Sequence, residues 1–597
     1  MKQKHSSKLQ IIAAALGVVA SLMVLVVWCM TQHDWQIREQ LKIIAPLFLE
    51  FTMIGILCTA GAALALLFQR RSLQDIFTRC SFWTLSALCI LVLGGAALLV
   101  WVVPRDHRIY YDEDIYENVA QNIAMTKGGN QRHDDKYSQW FSGLYSRVIG
   151  SAGMCNEGRN QYGEYTCYRL EYNKEPNAWP HLLSIVYRLA GVSEPLSFVT
   201  TNLIFLTAII VVYWIGVLLF HSRAAGLYSA LVFTLTPEVL IWSNTVAAEP
   251  GAAAFAAAAV LSMLVFLRYR KTIFLLLTAL ILAYASQFRP ESIMIGAVVG
   301  VLLMLEAPDE LRHSRFWWIF ALFVALIVPL LAHLFAVRSM GWGASGAKFS
   351  LSYFTSGNFR VNSLFYLVNM RFPLLFTVLF FLGLLLKDRV GCYLWRPRLV
   401  LIVWFLLFWG IFLFFYAGSY NYGADVRFSV LSAVPIAVLA GNGARNLGSL
   451  IARKLGTAVS HTIVTLIILG AFLPFLPFVR AISQEAWAAR ADHHFAHEML
   501  PLLPDTAVVL THNPNMFLVW GKNAAQASLA TEQKAYFSGF FSRYPGGVYF
   551  HYNFWCNVND PLQNSFCKNI LAWYTCTPVI TFKEQNQEFA LYKVERK

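Results

Sequence analysis

Apolar runs long enough to cross a bilayer recur along most of the chain, separated by short polar or basic turns. A helical span needs about 20 apolar residues. The pattern predicts spans near residues 9–30, 44–68, 82–103, 197–220, 224–242, 251–267, 272–287, 291–305, 316–337, 372–386, 399–416, 428–442 and 460–479, thirteen in all. The two that flank Phe288-Arg289-Pro290-Glu291 are each short for a span. The weak alternating segments of a membrane β-barrel are not seen. Three stretches break the apolar pattern and are expected outside the bilayer. Residues 104–196 are polar and aromatic, and residues 338–371 are rich in Gly, Ser and Asn, the composition of a mobile loop. In residues 481–597 the pattern predicts a helix over about 482–500, a buried strand at Thr506–Thr511 and a hairpin pairing Thr577–Phe582 with Phe589–Val594. The expected fold is mainly α, a polytopic transmembrane helical bundle with a small C-terminal extramembrane α/β domain. Its expected parts are two N-terminal spans in 1–80, a core in 81–480 with outer loops 104–196 and 338–371, and the outer domain 481–597.

Composition agrees with a membrane chain. Only 13% of the 597 residues are charged, against about 25% in soluble domains. The net charge of +14 resolves once it is split by loop. Arg70, Arg71, Arg79, Arg223, Arg268, Arg270, Lys271, Arg312, Arg315, Lys387, Arg389, Arg396, Arg398, Arg445, Arg453 and Lys454 fall in alternate loops. Short loops on the other side hold Arg38, Lys42, Arg289 and Arg427. The positive-inside rule then places the amino terminus in the cytosol and the carboxyl terminus outside. A first span flanked by Lys2, Lys4 and Lys8 reads as a retained signal anchor. No nucleic-acid partner is expected. Cys155, Cys167, Cys556, Cys567 and Cys576 all fall in outer segments, where an oxidising compartment permits bridges. Cys155 with Cys167 is the expected pair by separation, and two of the last three can also pair.

The densest chemistry lies just beyond span three, in Arg108-Ile-Tyr-Tyr-Asp112-Glu113-Asp114-Ile115-Tyr116-Glu117. Asp114 followed by Glu117 has the spacing of a capping box. Ile115, Val119 and Ile123 then mark a short amphipathic helix lying on the membrane surface. The bland reading is a solvated helix start. The functional reading gives the cap to Asp114 and leaves Asp112 and Glu113 facing the membrane mouth as a general base or a cation ligand.

Other outer turns carry isolated ionisable groups: Lys174 and His181 between prolines, Glu249 before Pro250, Arg289 and Glu291 around Pro290, and Asp425 with Arg427. Such groups at membrane depth are costly and by default mark a site. Internal pairing of Arg289 with Glu291 or Glu249 is the competing explanation. Arg and Lys at a bilayer edge suit a lipid-borne phosphate. His493, His494 and His497 share a helix at metal-ligand spacing, although a solvated His-rich linker accounts for them as well.

Taken in order and by side, these motifs resemble the GT-C membrane glycosyltransferases that use polyprenyl-phosphate sugars. The branch they are most similar to contains the protein O-mannosyltransferases and the bacterial lipid A aminoarabinose transferases. Asp112-Glu113, Tyr116, Ala120 and Ile123 match the spacing of that family's first outer loop. Lys174-Glu-Pro176 with Pro180-His-Leu-Leu183 resembles its Lys-Pro-Pro turn, with the second Pro displaced. Thr236-Pro237 through Glu249, Arg289-Pro290-Glu291 and the helix from Arg427 to Pro435 extend the resemblance over roughly residues 82–440. Two spans precede the one before Asp112, where the family pattern usually has none.

The resemblance implies a sugar donor on polyprenyl phosphate, a glycan, lipid or protein acceptor, and a place in the bacterial inner membrane among its lipids with the C-terminal domain in the periplasm. It implies one inverting displacement, with Asp112 as base and Glu113 orienting base or acceptor. Lys174, His181, Arg289 and Arg427 would hold the donor phosphate, and Asp114, Tyr116, Glu249, Glu291 and Asp425 would support them. No resident cofactor is expected; a divalent cation between Asp112 and Asp114 stays open. A lipid or sugar transporter, or a lipid-linked oligosaccharide ligase, are the rival readings. Against the transporter, the charges gather on one face and no inverted repeat is evident.

Overall fold

The computed structural model describes residues 16–18, 20, 22–69, 82–109, 111–127, 145–149, 156–159, 165–172, 177–337, 347–368, 371–387, 394–421, 423–482, 487–532 and 534–597. The chain divides into two compact units. One comprises Met1–Pro104 with Thr201–Ile482; the other comprises Arg105–Thr200 with Ser483–Lys597.

The first unit is helical. Among the described residues, eight helices are long and apolar enough to cross a membrane: Leu47–Leu67, Phe82–Trp101, Glu194–Phe220, Glu249–Tyr269, Ser314–Ala336, Trp395–Leu413, Ala424–Leu455 and Thr457–Ala481. Thr272–Ser286 and Leu374–Leu385 are shorter apolar helices, and Leu16–Thr31 is a third. The thirteen expected spans therefore do not all appear as full-length helices, and proline explains two of the shortfalls. The stretch expected to span 224–242 is two helices, Arg223–Thr234 and Pro237–Trp242. The stretch expected at 291–305 opens as a 3-10 turn over Pro290–Met294 before the helix Ile295–Glu306. Proline lacks the N–H that would continue a preceding helix. In the Gly-rich stretch expected to be a mobile loop, Phe359–Leu367 is helical.

Helices at the centre of this unit pack backbone against backbone. Gly383, on Leu374–Leu385, and Gly443, on Ala433–Leu455, face each other's helices. A Cβ at Gly383 would stand 1.9 Å from the Leu439 carbonyl oxygen, and one at Gly443 would stand 1.9 Å from that of Leu379. Small residues allow this approach where no hydrophobic effect drives helices together. Ala424–Leu455 is accordingly 83% buried, whereas Phe82–Trp101 is only 17% buried and lies at the edge of the bundle.

The second unit is built on an eight-stranded sheet of order β2-β3-β1-β5-β4-β6-β8-β7. The strands are β1 (Tyr145–Ile149), β2 (Asn156–Arg159), β3 (Tyr165–Tyr172), β4 (Val508–Thr511), β5 (Asn523–Gln526), β6 (Val548–Tyr552), β7 (Tyr574–Glu584) and β8 (Gln587–Arg596). The centre is parallel: β4 pairs with β5 and β6, with Leu510 opposite Ala525 and Phe550. The expected C-terminal hairpin is β7–β8. Segments 104–196 and 481–597, read apart in the sequence, contribute to the same sheet. β1 joins the sheet through Ile149 opposite Ala525, so the first outer segment supplies three strands of one edge. Side chains from both faces of the sheet are buried, Val508, Leu510, Phe550 and Val594 on one and Val509, Phe589 and Leu591 on the other, where Phe517 of the helix Pro514–Val519 packs. Cys556 and Cys567 form a disulfide, while Cys155 of the expected Cys155–Cys167 pair lies outside the described residues.

Candidate functional site

Two clusters of buried charge stand out, one in each unit. In the sheet-bearing unit the helix Asp112–Lys127 starts one residue after Tyr111, whose φ of 73° is unusual for a side-chain-bearing residue. Asp112 is thus the first helical residue and half-buried. This displaces the expected cap: Asp114 lies inside the first turn and is buried. Glu113 is fully buried, and its Oε1 accepts hydrogen bonds from the backbone N–H groups of Arg108 (3.0 Å) and Ile109 (3.2 Å). It secures the incoming loop, which is not the outward-facing role expected of it.

Asp114 and Glu117 point into the unit's interior, where they meet His493 of the His-rich helix and several residues to which no motif drew attention. Asp114 Oδ2 accepts from Asn513 Nδ2 at 2.7 Å, and Asp114 Oδ1 lies 3.3 Å from His493 Nε2. His107 Nε2 meets Glu194 Oε1 at 3.1 Å, and its Nδ1 lies 3.3 Å from Glu113 Oε2 and 4.0 Å from Asp114 Oδ1. Glu194 also accepts from Trp520 Nε1 at 2.8 Å. Glu117 accepts from the Tyr187 hydroxyl at 3.3 Å. Beside the cluster a cavity of about 290 Å³ is lined by Arg105, Asp106, His107, Glu194, Arg490, His493, His494 and His497, among others.

Burial and neighbouring charge set the protonation of this group. Burial alone would lower the His107 pKa, but the hydrogen bond to Glu194 and the charges of Asp114, Glu113 and Glu194 hold it well above the usual histidine value. Burial would raise Asp114, yet the hydrogen bond to His493 and the charges of His107 and His493 bring it below the carboxylate range. Burial pushes Glu117 up to about 8, with Glu194 and Asp114 adding to the rise and His107 opposing it. The acids Asp114 and Glu117, one turn apart on one helix, are driven in opposite directions.

The second cluster lies within the helical unit. Glu249, 1% exposed at the first turn of Glu249–Tyr269, sits between two guanidinium groups. Arg427 Nε donates to its Oε1 at 2.9 Å, and Arg289 Nη1 lies 3.3 Å from the same oxygen. Arg289 Nη2 lies 3.2 Å from Glu291 Oε1. Both guanidinium groups stack over Phe428, at 5.0 Å for Arg289 and 4.8 Å for Arg427. Both pairings weighed for Arg289 from the sequence are therefore present. Nearby, Arg371 Nη1 bonds Glu238 Oε1 at 3.0 Å, a pair the sequence did not single out.

The remaining expected residues fall in several places. His181 is 1% exposed on the helix Ala178–Ala190 of the sheet-bearing unit. Tyr116 is buried on the Asp112 helix. Asp425 is half-buried in the 3-10 turn Gly423–Ser432 of the helical unit. Lys174 lies outside the described residues. His107, Glu194, Asn513 and Trp520 were missed because single residues in unrelated segments carry no spacing; only the His-rich helix gave a signal.

Comparison with known proteins fits this architecture. Residues 174–333 match the dolichyl-phosphate-mannose-protein mannosyltransferase family. No curated protein matches the chain. ArnT from Cupriavidus metallidurans, in its crystal structure bound to undecaprenyl phosphate, aligns over 84% of this chain and 97% of its own with a TM-score of 0.53 and 11% identity. Its apo structure aligns over the same shares with a TM-score of 0.50 and 12% identity. The oligosaccharyltransferase AglB from Archaeoglobus fulgidus aligns over 86% of this chain and 74% of its own, with a TM-score of 0.47 and 13% identity. The chain has the GT-C membrane glycosyltransferase fold, and its residues 174–333 carry the sequence pattern of the dolichyl-phosphate-mannose-protein mannosyltransferases.

Proposed function

We propose that this chain transfers a sugar from a polyprenyl-phosphate donor to an acceptor hydroxyl, inverting the anomeric centre. The observation that carries the reading is the match of residues 174–333 to a family of lipid-phosphate-sugar transferases, set within a GT-C fold. The bound undecaprenyl phosphate of the ArnT structure points to the same donor chemistry. The setting is the bacterial inner membrane, with the sheet-bearing unit in the periplasm.

Asp112 is the base. It removes the acceptor proton as the hydroxyl oxygen attacks the anomeric carbon from the face opposite the phosphate. The carbon–phosphate-oxygen bond breaks, and polyprenyl phosphate leaves without needing a strong general acid. Glu113 positions Asp112 by fixing the loop that starts its helix. Arg289 and Arg427 hold the phosphate, with Glu249 and Phe428 fixing the direction of both guanidinium groups. Lys174 and His181 are assigned to the donor phosphate by resemblance alone.

Membranes containing the chain, supplied with mannosyl- and aminoarabinosyl-undecaprenyl phosphate bearing radiolabelled sugars, test this reading. Wild type should release undecaprenyl phosphate and label an acceptor, and Asp112→Asn should lose about 100-fold or more in rate. Full activity in Asp112→Asn sinks the base assignment. Turnover only of a diphosphate-linked donor marks a ligase, and binding without turnover marks a transporter.

A further inference from the structure

In the sheet-bearing unit, His107 and Asp114 are each held through one atom and turn the other toward a shared buried space. His107 is fixed through Nε2 by Glu194, which is itself held by Trp520. Asp114 is fixed through Oδ2 by Asn513. The opposite atoms, His107 Nδ1 and Asp114 Oδ1, are buried and face each other across 4.0 Å, with Glu113 Oε2 3.3 Å from the first and His493 Nε2 3.3 Å from the second. The 4.0 Å gap is too long for a hydrogen bond. An ion held at about 2.0–2.2 Å from each would draw the two atoms in to roughly 3.4 Å, the separation of neighbouring donors in a tetrahedral site. A histidine whose second nitrogen is bonded to a carboxylate is the usual outer support of a metal ligand.

Glu117 completes the convergence. His107, Asp114 and Glu117 each offer a donor atom, and these atoms lie within 4.8 Å of one another. Asp114 and Glu117 are three apart on one helix and so share a face. Glu113 Oε2 is 3.3 Å from His107 Nδ1, and His493 Nε2 is 3.3 Å from Asp114 Oδ1. Glu113, Asp114 and Glu117 thus set three buried carboxyl groups around one imidazole, a donor-rich space in which a bound cation would replace protons.

We propose that His107 Nδ1, Asp114 and Glu117 bind a divalent transition-metal ion of the zinc class, with Glu113 and His493 bordering it. Mixed imidazole and carboxylate donors favour zinc or manganese over calcium and magnesium. Asp112, half-buried at the head of the same helix, is outside the donor set. The ion ties the loop that carries His107 to the first turns of the Asp112 helix, and its role is structural. The proposal does not depend on the glycosyl-transfer reading.

The test uses the full chain purified in detergent through a streptavidin-binding tag, since a polyhistidine tag would carry metal of its own. Elemental analysis should find about one zinc or manganese per chain. His107→Gln and Asp114→Asn should each lower the metal affinity about tenfold or more. A chelator should lower the unfolding temperature of wild type, zinc but not magnesium should restore it, and the double variant should respond to neither. Should the variants misfold, titration of chelator-treated wild type with zinc against a chromophoric chelator decides the matter. Stoichiometric competition supports the site. Wild type that purifies without metal and fails to compete for zinc overturns it.

Discussion

The rings of His107 and His493 stack face to face, with centroids 3.9 Å apart and planes 14° from parallel. Each ring turns one edge to Glu194, at 3.1 Å for His107 and 3.5 Å for His493. Each turns its other edge to Asp114, at 4.0 Å and 3.3 Å. A carboxylate on either side thus grips two imidazoles contributed by distant parts of the chain. His493→Phe keeps the stacked ring and removes both nitrogens. It should destabilise the sheet-bearing unit by about 1–3 kcal/mol, the cost of leaving buried polar partners unmet. Thermal unfolding in detergent checks this, with His497→Phe, at the cavity wall, expected to cost less.

Glu249 is the anion shared by two buried guanidinium groups. Removing one partner of a buried pair costs more than the pair contributes, because a charge is stranded. Glu249→Gln should therefore cost about 3 kcal/mol in the helical unit. It should also weaken donor binding, since Arg289 and Arg427 lose the carboxylate that orients them. Unfolding temperature and the donor KM read the two effects separately; an unchanged unfolding temperature would show that Glu249 is not their counter-ion.

Gly443→Leu should break the bundle at its tightest seam. The added Cβ meets the backbone oxygen of Leu379 at 1.9 Å, and a backbone atom cannot move aside unless the helices separate. Overpacking of this kind costs about 1–3 kcal/mol or more. Fluorescence-detected gel filtration should show loss of the monodisperse species, whereas Gly410→Leu, where a Cβ meets nothing within 4 Å, should be tolerated.

The sheet-bearing unit should lose stability in mild acid through His551. This residue is fully buried on β6, and burial, helped by the charge of His512, pushes its pKa down to about 3 from 6.5. Below about pH 6.5 the unfolded chain takes up a proton that the folded one refuses, so this contribution is complete above that pH and is lost as pH falls toward 3. The slope is about 1.4 kcal/mol per pH unit for one group. His551→Gln should remove that slope from the difference between unfolding measurements at pH 7 and pH 5.

Local periodicity made the helices legible, because each span announces itself within about 20 residues. It did not show that the run expected at 224–242 would break at Pro237, since hydropathy does not register the N–H that proline lacks. The sheet was half legible. The β7–β8 hairpin follows from neighbouring residues, but the pairing of Ile149 with Ala525 depends on register between segments that share no local pattern. The same limit applied to the polar clusters. Asp112 through Asp114 were visible as a run, and Arg289 with Glu291 as neighbours around a proline. That Asp114 would turn inward toward Asn513, 399 residues away, was set by the packing of the sheet-bearing unit.

That one sheet takes strands from two segments more than 300 residues apart restricts how the chain is threaded through the membrane. Strands on opposite sides of a bilayer cannot pair, because no open sheet edge survives in the hydrocarbon between them. Tyr172, which ends β3, and Val508, which begins β4, therefore emerge on the same side. The polypeptide between them crosses an even number of times. Any span gained or lost in that stretch, whether by revised assignment or by an inserted helix, must be matched by a second, or the sheet cannot close.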